Sequence, residues 1–421
     1  MTLAERDRKV VWHPYTQMKN ALPAIGITHA AGPYLYAEHG KRYIDAVSSW
    51  WVNIHGHSHP YIAEKVSAQL KSLEHVIFAG FTHEPAVELA ERLLPLLPGQ
   101  QDKVFYSDNG STAVEVALKM CIQFWGNAGK PRRKILAFRN AYHGDTFGAM
   151  SVSGRSIFTD AFAPYLFDVE FIDLPTADNI AALKAHITSL GEELACFIFE
   201  PLVLGSGGML MYQAALLDEL LECCRQQEVL LIADEVMTGF GRTGRSFATG
   251  YLDQAPDIFC LSKGLTGGTM PLGITTCTDR IYEAFFSDDK LKTLYHGHSF
   301  TANPIACTAA LASLDLFVEP ETQLNLYRIS RQHAAFAAKL SGHTRLRDIR
   351  QTGTILALEW ETGLDTSYLS GLRDRLYTWF LERGILMRPL GNIIYLMPPY
   401  IIADEDLAYI YTQIEQALAE I

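Results

Sequence analysis

The chain has 421 residues, 48% of them hydrophobic and 19% charged, which is enough apolar material for a large core and a length that favours two or three domains. Such a composition excludes a disordered, collagen-like or coiled-coil body. Lys plus Arg is 35 against 47 for Asp plus Glu, a formal charge of −12, so no nucleic-acid partner is expected.

The N-terminal stretch from Met1 to Thr16 is charged and lacks the apolar region of a signal peptide. No run of about 18 apolar residues is present, so no membrane span is expected. The seven Cys are scattered without a C-x-x-C pair, which fits a reducing cytoplasm better than a disulfide framework.

The first 59 residues, rich in aromatic and turn residues, form an N-terminal segment expected to pack on a smaller C-terminal unit or on a second chain. From residue 60 to 317, helices alternate with short apolar strands. Tyr61 to Leu73 has helical spacing. Lys103 to Tyr106 reads as a strand, followed by turn chemistry at Ser107-Asp108-Asn109-Gly110. Ser111 to Gln123 reads as a helix, with Ala113, Val116, Ala117 and Met120 on one face. Strands are predicted at Lys134 to Phe138, Ala195 to Glu200, Val229 to Glu235 and Asp257 to Ser262, with a helix at Ala214 to Gln226. These strands are continuous apolar runs, the pattern of a mostly parallel sheet covered on both faces, so the fold class is α/β. From residue 318 to 421 the texture is that of a smaller α+β unit. Helices are predicted at Thr322 to Leu340, Tyr368 to Glu382 and Asp404 to Ala419, with strands at Thr354 to Glu359 and Ile393 to Leu396.

The chemistry concentrates between residues 229 and 268. Asp234 ends one buried strand, and Lys263 follows the next, before a Gly-rich turn. Active sites of open α/β sheets lie at the carboxyl ends of strands. A lysine is costly to bury there unless it has a task, such as a Schiff base with an aldehyde cofactor. Pyridoxal 5′-phosphate (PLP) needs such a lysine, a carboxylate for its ring nitrogen and a phosphate cradle. The strand-to-helix turn at Asp108 to Thr112 offers free backbone N–H groups for the phosphate. Tyr142 is a candidate to cover the ring.

Leu231 to Val236, Gly239 to Gly244 and Asp257 to Lys263 together form a long pattern that resembles the class III aminotransferases of PLP fold type I. Further marks narrow the resemblance: Trp12 to Thr16, Ser48 to Trp51, Tyr142 to Thr146, Arg388-Pro389 and Ile394 to Tyr400. They imply an enzyme that moves the amino group of S-adenosylmethionine to 8-amino-7-oxononanoate in biotin biosynthesis, with ping-pong kinetics. Some relatives use lysine as the donor, and a transaminase of ω-amino acids or diamines is a further alternative. The resemblance implies a large domain with a seven-stranded sheet and a homodimer with shared active sites. It gives Lys263 the covalent attachment and the proton transfer, and Asp234 the ring nitrogen. Val236 would pack under the ring and Tyr142 over it. Gly110 and Ser111 would hold the phosphate, with Gly297 and Ser299 arriving from the other subunit. Tyr15, Trp50, Gly297, Arg388 and Tyr395 would bind substrate, Arg388 through a carboxylate. The chain departs from its relatives at His298-Ser299, where Pro-Thr is common.

Blander readings cover the remaining motifs. Gly239-x-Gly241-x-x-Gly244 has dinucleotide spacing, but it does not follow a strand directly into a helix. His55-x-His57-x-His59 lacks further ligands at metal spacing, so no metal is expected. His143 reads as hydrogen-bonding scaffold. Arg242 is open between structure and substrate. Adjacent residues on a strand face opposite ways, so Trp50 and Trp51 can both line a pocket only if the backbone bends between them.

Overall fold

A computed structural model describes residues 1–363 and 371–421. Its central sheet runs in the order Lys103–Ser107, Gly273–Cys277, Ile258–Leu261, Leu230–Asp234, Leu194–Phe199, Lys134–Phe138, Glu170–Ile172. Gly273–Cys277 is antiparallel to both its neighbours, and the other strands are parallel to one another. The apolar runs thus form the α/β sheet that they predict.

Every residue of Leu194–Phe199 and Leu230–Asp234 is buried, because side chains leave each face into a separate core. Phe197, Phe199 and Leu231 point to one core, with Leu217 and Leu220 of helix Ala214–Gln226. Ile198, Ile232 and Ile258 point to the other, with Val114, Ala117 and Cys121 of helix Gly110–Asn127. This period-two partition is why these strands lack polar alternation.

Gly273–Cys277 escapes an apolar-run reading because it carries two buried threonines. Their hydroxyls are satisfied locally, Thr275 by Ala113 O at 2.7 Å and Thr276 by Gln101 Oε1 at 2.7 Å. Glu170–Ile172 is a three-residue strand at the sheet's end, too short to show a period.

Two smaller sheets complete the fold. Ile27–Ala31, Tyr34–Ala37 and Arg42–Asp45 form a meander, which Ile385–Leu386 extends in parallel by pairing with Ile44 and Asp45. The N-terminal segment is thereby tied to the C-terminal part of the chain. Leu346–Thr352, Ile355–Trp360 and Ile393–Leu396 pair antiparallel. Helices Pro320–Lys339 and Asp404–Glu420 lie close to the expected bounds. Helix Gly371–Glu382 covers most of a third; Tyr368 to Ser370 lie outside the described residues. Among the described residues, no helix is long and apolar enough to cross a membrane.

Candidate active site

Strand Ile258–Leu261 ends at Ser262, and the chain turns sharply at Lys263, whose φ is +48°. This left-handed conformation is uncommon for a residue with a side chain and is held by the surrounding fold. Lys263 Nζ lies 4.4 Å from the centroid of the Trp51 ring and has no hydrogen-bond or ion-pair partner among the described residues. Burial lowers its pKa to about 8, against the opposing pull of the Asp234 and Glu200 carboxylates. At pH 7 roughly a tenth is therefore the free amine, the form that attacks a carbonyl, far more than for an ordinary lysine.

Asp234 sits at the end of the neighbouring strand, buried. Its Oδ2 meets His143 Nδ1 at 2.7 Å, and its Oδ1 accepts the Val236 N–H at 3.1 Å. His143 Nε2 is buried with no partner among the described residues. Glu200, one residue beyond strand Leu194–Phe199, accepts the Tyr142 and Gly205 N–H groups at 2.9 Å each. Burial raises its pKa to about 7, with Asp234 adding to the rise and His143 and the two N–H groups opposing it.

The turn before helix Gly110–Asn127 is a capping box. Asn109 Oδ1 accepts the Thr112 N–H at 3.0 Å, and Thr112 Oγ1 accepts the Asn109 N–H at 3.1 Å. The first N–H groups of the helix, at Gly110 and Ser111, are left for a ligand. Gly110 is required for space, since a Cβ there would lie 2.8 Å from Val236 Cγ1.

These elements enclose a cavity of about 270 Å³, bounded by Trp51, Gly110, Tyr142, Asp234, Val236 and Lys263. An unpaired amine, a buried carboxylate backed by histidine and a helix-start cradle share this one space. That donor set fits PLP: a carbonyl for Lys263, a ring nitrogen for Asp234 and a phosphate for Gly110 and Ser111.

The substrate candidates stand on the rim. Ser48–Trp51 is a short turn with left-handed φ at Ser48, Ser49 and Trp51, a bend that turns Trp51 into the cavity and Trp50 toward Tyr15. Trp51 lines the cavity, and its Nε1 donates to Tyr395 Oη at 3.0 Å. Tyr395 is buried behind Trp51 and does not itself line the cavity. Trp50 contacts Tyr15, with ring centroids 5.5 Å apart. The Arg388 guanidinium stacks on Trp50 at 4.1 Å. Tyr15 Oη meets Tyr142 Oη at 3.1 Å and donates to Asp145. Gly297 and Ser299 are exposed and stand apart from this chain's own cavity.

Arg242 is buried and donates to the carbonyls of Met397, Pro398 and Trp51, so it braces the turn carrying the tryptophans. The three nearby histidines do not converge on one point. His55 meets Ser313 Oγ at 3.0 Å, His57 meets Asp45 at 2.8 Å, and His59 precedes helix Pro60–Ser72. Among the described residues, no group of three His, Cys, Asp or Glu could hold a metal. Sequence reasoning passed over Glu200 and Asp145 as site groups. Glu200 had one visible signal, a carboxylate at the carboxyl end of a buried strand.

The family model for class III aminotransferases matches residues 15–418. The chain is 46% identical to the adenosylmethionine-8-amino-7-oxononanoate aminotransferase of Synechococcus elongatus, over 98% of this chain and 99% of that one. Among solved structures, it superposes on the enzyme of that name from Methanocaldococcus jannaschii with a TM-score of 0.94 and 36% identity, covering 99% and 98% of the two chains. An omega transaminase from Pseudomonas jessenii, solved in complex with PMP, superposes with a TM-score of 0.93 and 26% identity, covering 100% and 98%.

Proposed function

The chain belongs to the class III aminotransferases, and from that premise we propose that it transfers the amino group of S-adenosylmethionine to 8-amino-7-oxononanoate, giving 7,8-diaminononanoate for biotin synthesis. The observation that carries the reading is end-to-end identity of 46% with a relative of that name. Fold alone does not discriminate, because the omega transaminase superposes almost as well at only 26% identity.

The enzyme is PLP-dependent, and bound PLP supplies an electron sink for the pair left when a carbon bearing an amine loses its proton. The chain's own groups do the rest. Lys263 Nζ would hold the cofactor covalently, and its free amine would move the proton between that carbon and C4′ of the cofactor. Its lowered pKa suits it to both directions near neutrality. Asp234, backed by His143, presents a carboxylate to the ring nitrogen. Gly110 and Ser111 bind phosphate, and Val236 and Tyr142 pack on the ring. Arg388, stacked on Trp50, orients the acceptor by its carboxylate. Tyr15 and the Trp51–Tyr395 pair wall the site against water.

The working unit is a cytoplasmic homodimer, in which the segment with Gly297 and Ser299 completes the site of the second copy. Its exposure on the single chain is consistent with that placement. Residues 60–317 form the large domain, and residues 318–421 the small one, with residues 1–59 joined to it.

The test is a half-reaction on the PLP-loaded protein, mixed separately with S-adenosylmethionine and with lysine while the cofactor absorbance is followed. Conversion to the pyridoxamine form with S-adenosylmethionine supports the reading. Conversion with lysine alone keeps the acceptor and changes the donor. No conversion with either moves the protein to another amine substrate.

A further inference from the structure

Helix Gly110–Asn127 begins at the phosphate cradle, and two residues one turn apart on it, Ser111 and Glu115, share a helix face. Both are bonded to the segment that carries Tyr142, His143 and Asp145. Ser111 Oγ accepts the Asp145 N–H at 3.2 Å. Glu115 Oε1 accepts three donors: Thr146 Oγ1 at 2.5 Å, the Gly148 N–H at 2.7 Å and the Ala149 N–H at 3.1 Å.

The segment is shaped to receive these two side chains. Gly144, with φ at +134°, faces Ser111, and a Cβ there would run into Ser111 Oγ. Gly148 faces Glu115, and a Cβ there would run into its carboxylate. Glycines four apart on the segment thus meet side chains four apart on the helix. The span anchored this way presents three groups to the site: Tyr142 in the cavity wall, His143 on Asp234, and Asp145 on Tyr15.

From this double contact we propose that Glu115, acting with Ser111, is a positioning residue for transamination. Its carboxylate fixes the 142–149 segment in register with the phosphate-binding helix, so that Tyr142 and Asp145 stand where substrate and Tyr15 meet them. Glu115 touches neither cofactor nor substrate; it acts through the segment it holds.

Hydrogen exchange of the holoenzyme, read by peptide mass, tests this alongside steady-state kinetics. Glu115→Ala and Gly148→Ala are both expected to speed exchange across residues 142–149 while leaving strand Leu230–Asp234 unchanged. Both are also expected to raise the KM of the amino donor about tenfold, with a smaller effect on kcat, because misplacement of the segment weakens substrate binding. Glu115→Gln keeps an acceptor oxygen and the side chain's shape, and should recover most of both losses. Wild-type exchange in 142–149 together with wild-type KM in Glu115→Ala and Gly148→Ala would overturn the proposal. So would exchange that rises evenly through the protein with KM unchanged, which would make Glu115 a general stabiliser. The kinetic arm rests on the proposed donor, but the exchange arm needs no substrate. A wrong donor would silence the wild type as well and leave the exchange result standing.

Discussion

The guanidinium carbon of Arg388 lies over Trp50, 4.1 Å from the ring centroid, and the group has no carboxylate partner among the described residues. The stack fixes the plane of the fork, so less freedom is lost when a carboxylate binds it. Arg388→Leu should raise the KM of the acceptor about 100-fold, the equivalent of roughly 2–3 kcal/mol for charge-assisted hydrogen bonds. Arg388→Lys should not restore it, since an ammonium offers no planar fork. Steady-state kinetics with 8-amino-7-oxononanoate decide the matter; an unchanged KM in Arg388→Leu would remove the residue from substrate binding.

Lys263 should leave a mark on stability that is independent of turnover. Its folded pKa is lowered from 10.5 to about 8. Between those values the unfolded chain holds a proton that the folded chain has lost, so stability rises with pH across that window. Below about pH 8 both states are protonated and the burden of the buried ammonium is fully present. In cofactor-free protein, Lys263→Met should therefore be more stable than wild type at pH 7, by on the order of 2 kcal/mol. The gap should close as pH rises toward 10. Denaturant melts at a series of pH values measure this, and parallel profiles would contradict the lowered pKa. Lys263→Met should also show no transamination.

Much of this site was legible in the sequence. Asp234 and Lys263 each stand at the carboxyl end of an apolar run, and a parallel sheet brings those ends together. The register Asp234↔Cys260 then places Lys263 beside the carboxylate. The cradle was legible because the turn residues Ser107 to Gly110 separate an apolar strand run from a helical pattern. Other contacts were hidden because nothing local encodes them. Tyr15 meets Tyr142 across 127 residues, and Tyr395 backs Trp51 from 344 residues away. The bend at Ser48 to Trp51 was equally hidden, since its left-handed backbone falls on residues other than glycine. Strand Gly273–Cys277 was missed because buried threonines look polar until their hydroxyl partners are known.

The fit of Gly110 against Val236 predicts a suppressible defect. An added Cβ would lie 2.8 Å from Val236 Cγ1 and 3.1 Å from Cγ2, so the valine must move into the cavity or the turn must open. Gly110→Ala should weaken PLP binding about tenfold, which corresponds to 1.4 kcal/mol. Adding Val236→Ala removes both clashing methyl groups and should recover part of the loss, a coupling that independent sites would not show. Cofactor titration of the two single variants and the double variant reads it directly. Strict additivity would mean that the two side chains do not compete for space.

Glu200 should show stability and activity moving in opposite directions. Its pKa is raised from 4.5 to about 7, mainly by burial. Between those values the folded carboxyl keeps a proton that the unfolded chain has lost, so wild-type stability falls as pH rises through the window. Above pH 7 the folded protein holds a buried charge, and its two hydrogen bonds from Tyr142 and Gly205 offset that only in part. Glu200→Gln has no charge to bury. In cofactor-free form it should match or fall slightly below wild type at pH 5, then exceed it at pH 8 by on the order of 2 kcal/mol. Its activity should move the other way, because one amide oxygen cannot replace two carboxylate oxygens. Either the Tyr142 or the Gly205 N–H would then face an NH₂ group, and the loop that carries Tyr142 into the cavity wall would shift. A decrease in kcat of about tenfold or more at pH 8 is expected from that displacement. Paired melts and assays at pH 5 and pH 8 test both halves, and a variant whose stability follows the wild-type pH profile would show that Glu200 is not the group titrating near 7.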